Sequence, residues 1–339
     1  MSFLTHLARR LLLMIPMLIG ITLLLFIVTR IVPVNPLSVI LTEKSMDNPE
    51  VVQAAINRWG LDKPLPEQYW IYLKNLAQGE LGTSFKTKNP VAQDLRKFLP
   101  ATIELAIGSF IFALLLGLPL GILSAIKSNS FVDHFTRLIS LLGASMPPFW
   151  SGLILLFALY YKLKWFPGPG RIDARIGSPP TVTGLFLIDS LVAGNMNQFW
   201  SALSHLVLPS IVLGWFSLAL IARITRSSLL EVLGLDYIRT ARAKGMKEWF
   251  VIMRHALRNA LIPLVTVLGL AFAGLMSGAI MTETIFAWPG IGRYAVESSA
   301  NLDYPSIMGV TLLIAVIYMM VNLLVDLMYA VIDPRIREA

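Results

Sequence analysis

The sequence predicts an all-α membrane protein with six transmembrane helices and a helical insertion outside the membrane between the first two. Of its 339 residues 56% are hydrophobic and only 14% charged, where soluble domains carry roughly 25% charged residues. The apolar residues gather into six stretches free of Asp, Glu, Lys and Arg, each near or above the roughly 20 residues a helix needs to cross about 30 Å of hydrocarbon. Basic residues alternate between the connections, which assigns each connection a side. The same composition excludes disorder, and the absence of cysteine removes disulfide scaffolds, thiolate metal sites and cysteine nucleophiles. The net charge of +8 lies between the apolar stretches and forms no soluble basic face, so it does not indicate nucleic acid.

The first stretch, Leu11 to Thr29, follows Arg9 and Arg10. It is longer than a signal-peptide core, and no small-residue cleavage site lies between Arg30 and Pro36, so it is expected to be retained. Residues 31–104 read as a small external subdomain with helix-like pieces at Pro49 to Trp59 and Pro66 to Gln78, separated by Gly60 to Pro64. The second and third spans are Leu105 to Ile126 and Leu138 to Tyr161, joined by a connection bracketed by Lys127 and Arg137. A Pro- and Gly-rich outer loop leads to the fourth span, Ser190 to Ala222. The fifth span is Asn259 to Thr282 and the sixth Tyr304 to Val325. Residues 105–332 thus form a five-helix core, after the N-terminal piece 1–30 and before a tail at 333–339.

Arg9 and Arg10, the 127–137 connection, the strongly basic 223–258 connection, and Arg335 with Arg337 fall on one side, which is cytoplasmic by the positive-inside rule. Both termini are therefore expected inside. Pro16, Pro119, Pro147, Pro148, Pro209 and Pro263 lie within the spans. Proline removes a backbone donor and kinks a helix, which suits a cavity or a moving gate, although membrane helices also simply tolerate it. Gly108, Gly117, Gly121, Gly143, Gly152, Gly269, Gly274 and Gly278 allow helices to approach closely.

Within the spans His205 is the one acid, base or histidine, while Glu104, Glu283 and Asp326 sit at margins. An ion-coupled transporter needs buried carboxylates or histidines on its path. For Asp326, close to the basic side, pairing with an arginine is the expected role. No phosphate-binding loop is present, since Gly79 to Lys86 lacks the required spacing. Paired aspartates, a zinc-binding HExxH and a serine with a base are likewise missing, which argues against an intramembrane enzyme. Uphill transport would therefore draw its energy from a partner.

The place for such a partner is the 223–258 connection. It reads as an apolar-basic helix, a stop at Gly245, where glycine accepts the left-handed conformation, and a second helix. Charge alone favours a basic loop lying on anionic headgroups. The order of residues is more informative. Asp236-Tyr237-Ile238-Arg239-Thr240-Ala241-Arg242-Ala243-Lys244-Gly245, followed by His255 to Pro263 with Asn259, resembles the EAA loop of ABC importer permeases of the dipeptide and oligopeptide branch. The likeness extends along the chain through Gly60 to Pro64, Gly79 to Phe85, Ser145 to Trp150, Thr282 to Arg293, Asp303 to Pro305 and Asn322 to Asp326. Three departures stand out: Arg239-Thr240-Ala241 replaces Glu-Ala-Ala and Arg258 replaces a proline, differences the branch usually shares, and Pro33 to Pro36 reads Pro-Val-Asn-Pro where the branch often has Pro-Gly-Asp-Pro.

The resemblance implies the B-type permease of a dipeptide importer in a bacterial inner membrane. It implies a second, C-type permease, two cytoplasmic ATPase subunits that bind ATP and Mg, an external peptide-binding protein, and no cofactor in this chain. Arg239, Arg242 and Lys244 would pair with acidic groups of the ATPase, while Ala241, Ala243 and Gly245 permit close packing. By the same resemblance Glu283, Trp288, Pro289, Gly290 and Arg293 would meet the binding protein or gate the outer mouth. Trp288 to Gly290 reads either as a rigid re-entrant turn or as an interfacial anchor. Alternatives are the same permease type carrying longer peptides, haem, glutathione or nickel, and a self-contained channel or secondary transporter.

Overall fold

The structure, a computed structural model, describes residues 3–31 and 46–332. Pro33 to Pro36 and the 333–339 tail lie outside the described residues. Helices are α1 (Phe3–Ile31), α2 (Pro49–Trp59), α3 (Leu65–Ala77), α4 (Val91–Ile126), α5 (Phe131–Ser145), α6 (Pro148–Leu155), α7 (Phe186–Val192), α8 (Met196–Leu233), α9 (Asp236–Ala243), α10 (Leu257–Gly278), α11 (Ile280–Ile285), α12 (Ile291–Ala300) and α13 (Tyr304–Ile332). No strand is present among the described residues, and the fold is all-α as predicted.

Four helices are individually long and apolar enough to cross a membrane: α1, α4, α8 and α13. The third and fifth predicted spans are bent pairs. One runs from Phe131–Ser145 into Pro148–Lys162 with a turn of 107°, and the other bends by 60° between Glu248–Leu261 and Pro263–Ser277. Both bends fall at prolines, Pro147 with Pro148 between two helices and Pro263 inside α10, whereas the helices around Pro16, Pro119 and Pro209 are not divided. The six expected spans are thus four continuous helices and two bent pairs, with kinks at two of the proline sites that suggested them. Helix ends also differ from the apolar windows: α4 begins at Val91, well before Leu105, and α8 continues through Arg223 and Arg226 to Leu233.

The core forms around α8, which packs along α4 and against α5 and α10. Its apolar window is 61% buried against 17% for α1, placing α8 at the centre and α1 at the edge. Small residues permit the α4–α8 contact. A Cβ on Gly121 would stand 2.7 Å from the Ala222 carbonyl, and one on Gly214 would stand 2.5 Å from that of Ser109. Without water's hydrophobic drive, such close van der Waals packing is the main attraction between membrane helices. At the periphery α1 touches α13 and α3. Arg10 pairs with Asp326 at 3.0 Å, the role expected for that aspartate.

The helices between α1 and α4 follow their local signals. α2 starts with Asn48 accepting from the Glu50 amide and with Pro49 in its first turn, and it stops at Gly60, φ 60°. Asparagine caps and left-handed glycines are common helix boundaries. α3 rests on α1 through Tyr69, whose hydroxyl donates to the Ile19 carbonyl at 3.0 Å and whose ring lies 5.4 Å from that of Phe26.

Candidate functional site

At the basic end of the bundle, α8 closes at Leu233, the chain turns through Gly234 and Leu235, and α9 follows. α9 is amphipathic with one buried edge. Ile238 is fully buried and Ala241 nearly so, in a cluster with Ala125, Leu229, Val251, Ala256 and Ala260. Asp236, Tyr237, Arg239, Thr240, Arg242, Ala243, Lys244 and Gly245 are exposed. The helix is therefore a knob anchored by two side chains, with a polar and basic outer face. Ala241 faces its own chain, which corrects the expectation that it packs against a partner.

Gly245 ends α9 with φ 72°, and its amide donates to the Arg242 carbonyl at 2.9 Å. A Cβ there would meet nothing within 4 Å, so the glycine is required by conformation and not by crowding within this chain. A brace holds α9 from the side. The Asn259 Nδ2 donates to the Tyr237 hydroxyl at 2.7 Å, and that hydroxyl donates to the His255 carbonyl at 3.3 Å. His255 and Asn259 thus act on α9 from the following helical segment, where Val251–Ala256 is π-helical. The basic residues are partly committed already. Arg242 holds Glu248 through two hydrogen bonds, at 2.6 and 3.1 Å, and Arg239 holds Asp236 at 3.2 Å. Lys244 has no such partner among the described residues.

Beneath this knob lies an ion cluster that the sequence did not announce. Asp133, fully buried, accepts two hydrogen bonds from Arg226 at 2.7 and 2.8 Å and two from Arg137 at 3.1 and 2.6 Å. It also accepts from the Ser124 hydroxyl at 2.6 Å and the Asn129 amide at 2.9 Å. One carboxylate therefore ties the end of α4, the start of α5 and the extension of α8. Arg137 four residues after Asp133 is a visible helical pair, but Arg226 is remote in sequence and gives no local sign.

The opposite end carries the residues predicted for an outer gate. Glu283 is fully buried and accepts from the Thr102 hydroxyl at 2.6 Å and the Arg293 amide at 2.9 Å, so it caps the start of α12. Carboxylates suit helix N-termini because unpaired amides point outward there. Trp288 is also fully buried, and its Nε1 donates to the Ala101 carbonyl at 2.8 Å. Gly290 is needed for close approach, since a Cβ would lie 2.2 Å from Glu283 Oε1. Trp288, the half-buried Pro289 and Gly290 form a rigid turn and not a lipid-facing anchor. The Glu283 and Trp288 side chains are walled off from any outside protein, which corrects their assignment as contact residues; they position the rim instead.

Arg293 is partly exposed and donates to Glu297 at 2.9 Å, and Glu297 also pairs with Lys86. Lys86 and Arg293 hold the Glu297 carboxyl below its ordinary range, Lys86 having the larger effect. Deeper, Arg171 bonds Glu104 at 2.7 and 2.8 Å with both side chains buried, and its guanidinium stacks 3.7 Å from the Phe186 ring centre. This rim is cross-braced by charge pairs from distant segments, whereas the basic end presents a knob that is anchored on one edge and exposed on the other.

The chain matches two family descriptions: "binding-protein-dependent transport system membrane component, N-terminal" over residues 3–106 and "binding-protein-dependent transport system inner membrane component" over residues 117–338. It is 46% identical to the dipeptide transport system permease protein DppB of Alkalihalophilus pseudofirmus, over 98% of this chain and 99% of that one. It is 45% identical to the probable D,D-dipeptide transport system permease protein DdpB of Escherichia coli K12, over 94% and 93%. It is 39% identical to the oligopeptide transport system permease protein AppB of Bacillus subtilis, over 98% of each. Among solved structures, the inward-facing MetNI methionine ABC transporter matches with a TM-score of 0.50 and 16% identity, covering 69% of this chain and 93% of that one, which is a likeness of fold.

Proposed function

Because the chain belongs to the family of binding-protein-dependent transport system inner membrane components, we propose that it is a permease subunit of an ABC importer for dipeptides. It forms half of the translocation path and works with a second permease, two ATPase subunits that bind ATP and Mg on the cytoplasmic side, and an external binding protein. On this reading the termini and α9 face the cytoplasm, which the distribution of basic residues in the sequence supports. The cargo assignment follows the names of relatives that span nearly the whole chain, from dipeptide permeases at 45–46% identity to an oligopeptide permease at 39%.

The single observation that carries the coupling role is the build of α9. A helix of eight residues is anchored by Ile238 and Ala241, braced by Tyr237 and Asn259, and otherwise exposed on its basic face. An exposed helix so firmly tied to long spans can pass a push from a docked subunit into α8 and α10. Arg242 and Arg239, already paired within this chain, would exchange or share those partners on docking, while Lys244 is free to meet an acidic group directly.

Replacing Gly245 tests this. Gly245→Val strains a left-handed position by about 1–2 kcal/mol and places a branched side chain on the docking face without touching this chain's core. In proteoliposomes holding the complete importer, the variant should insert and assemble, yet take up less dipeptide per ATP hydrolysed. Unchanged uptake per ATP would remove the coupling role from α9.

A further inference from the structure

Two cavities lie end to end between α5 and α8, and they share Ala144 and Phe216. The smaller, about 220 Å³, sits at the break between α5 and α6. Pro147 and Pro148 have no amide hydrogen, so the carbonyls of Gly143 and Ala144 lose the helical donors they would otherwise receive. Bare carbonyls at membrane depth are tolerated only against protein or a water-filled cavity. The larger cavity, about 340 Å³, runs along α5 to Arg137, Arg223 and Arg226. Its volume is within the range of small-molecule sites, about 300–1,000 Å³.

The charges in this groove are unequal. Arg137 and Arg226 are both spent on Asp133, while Arg223 has no hydrogen bond or ion pair among the described residues. Ser140 and Ser145, facing the larger cavity and the break respectively, also have hydroxyls without a partner among them. By contrast, a cavity of about 410 Å³ between α4, α7 and α8 is almost wholly apolar and its Glu104 is taken by Arg171. An unpaired guanidinium at one end and bare carbonyls at the other make a groove that accepts a carboxylate at one end and an ammonium at the other. Leu141 and Leu220 line the stretch between and are indifferent to side-chain identity.

We propose that this groove is the stretch of the transport path contributed by this chain, with Arg223 receiving the carboxylate of a zwitterionic dipeptide and the Gly143 and Ala144 carbonyls its ammonium. The inference rests on the dipeptide-importer reading above. It makes Arg223 a cargo-contacting residue within α8, about three turns before its end at Leu233, distinct from the coupling face of α9.

The chain has no cysteine, so Ser140→Cys and Ser145→Cys are clean reporters when the partner subunits are also made cysteine-free. In the complete importer in liposomes, both should react with a charged, membrane-impermeant thiosulfonate, and more slowly during ATP-driven dipeptide uptake. Arg223→Gln should lower dipeptide uptake about tenfold, as for loss of one charge-assisted hydrogen bond. ATP hydrolysis stimulated by the loaded binding protein should persist, and Arg223→Lys should restore part of the uptake. Inert cysteines, labelling unaffected by cargo, or normal uptake by Arg223→Gln would each overturn the proposal. So would a wild-type requirement for anionic phospholipid that Arg223→Gln abolishes, which would make the site a lipid-phosphate site. If the wild-type importer fails to take up dipeptide with ATP, the functional reading itself fails; if it succeeds and Arg223→Gln does equally well, the groove assignment alone fails.

Discussion

Asp133 shows what a single carboxylate contributes. Buried and bonded to two arginines, a serine and a backbone amide, it is stable as a charge because its surroundings are built around it. Removing one member of such a buried cluster leaves the others unpaired, typically at about 3–5 kcal/mol. Asp133→Asn should therefore lower the thermal unfolding temperature of the detergent-solubilised protein substantially, whereas Arg137→Gln, at a half-exposed position, should lower it much less. Equal stability of Asp133→Asn and wild type would mean that the cluster is not holding α4, α5 and α8 together. Residues of this kind were the least legible in the sequence. Gly245 announced itself through its place in a motif, but the Asp133–Arg226 and Glu104–Arg171 pairs join residues far apart in the chain. Glu283 and Trp288 were visible as a motif, yet their burial depends on Thr102 and Ala101 of another helix, which no local pattern encodes.

Among elements, those with both a start and a stop signal were readable. α2 has its asparagine cap, proline and terminal glycine, and α9 has its glycine stop. The six apolar windows located the spans but not their shapes or ends. Hydropathy reports depth in a membrane, whereas the break at Pro147 and Pro148 and the extension of α8 past Arg226 depend on neighbours. The brace on α9 carries the prediction at this scale. Asn259→Ala deletes the donor to the Tyr237 hydroxyl, an interaction of about 1 kcal/mol. The amides of α9 should then exchange with deuterium about fivefold faster by mass spectrometry, with exchange in α8 unchanged. Identical exchange in the variant would show that burial of Ile238 and Ala241 alone fixes the knob.

The described residues join a cross-braced rim at one end, a core centred on α8, and an exposed knob at the basic end. That division suits a part that is moved from one side while the other keeps its form. The architecture of a membrane bundle was legible because the bilayer imposes length and polarity on every span. The packing around α8 and the grooves it leaves were not legible, since they arise from contacts between spans. The central claim is that this polypeptide conducts and another molecule supplies the energy. It is tested most directly by measuring labelled dipeptide uptake into liposomes that hold either this chain alone or the complete importer with its binding protein, with ATP supplied to the face that carries α9. The account predicts accumulation against a gradient only in the complete, ATP-supplied system and none with the chain alone; accumulation by the chain alone would contradict it.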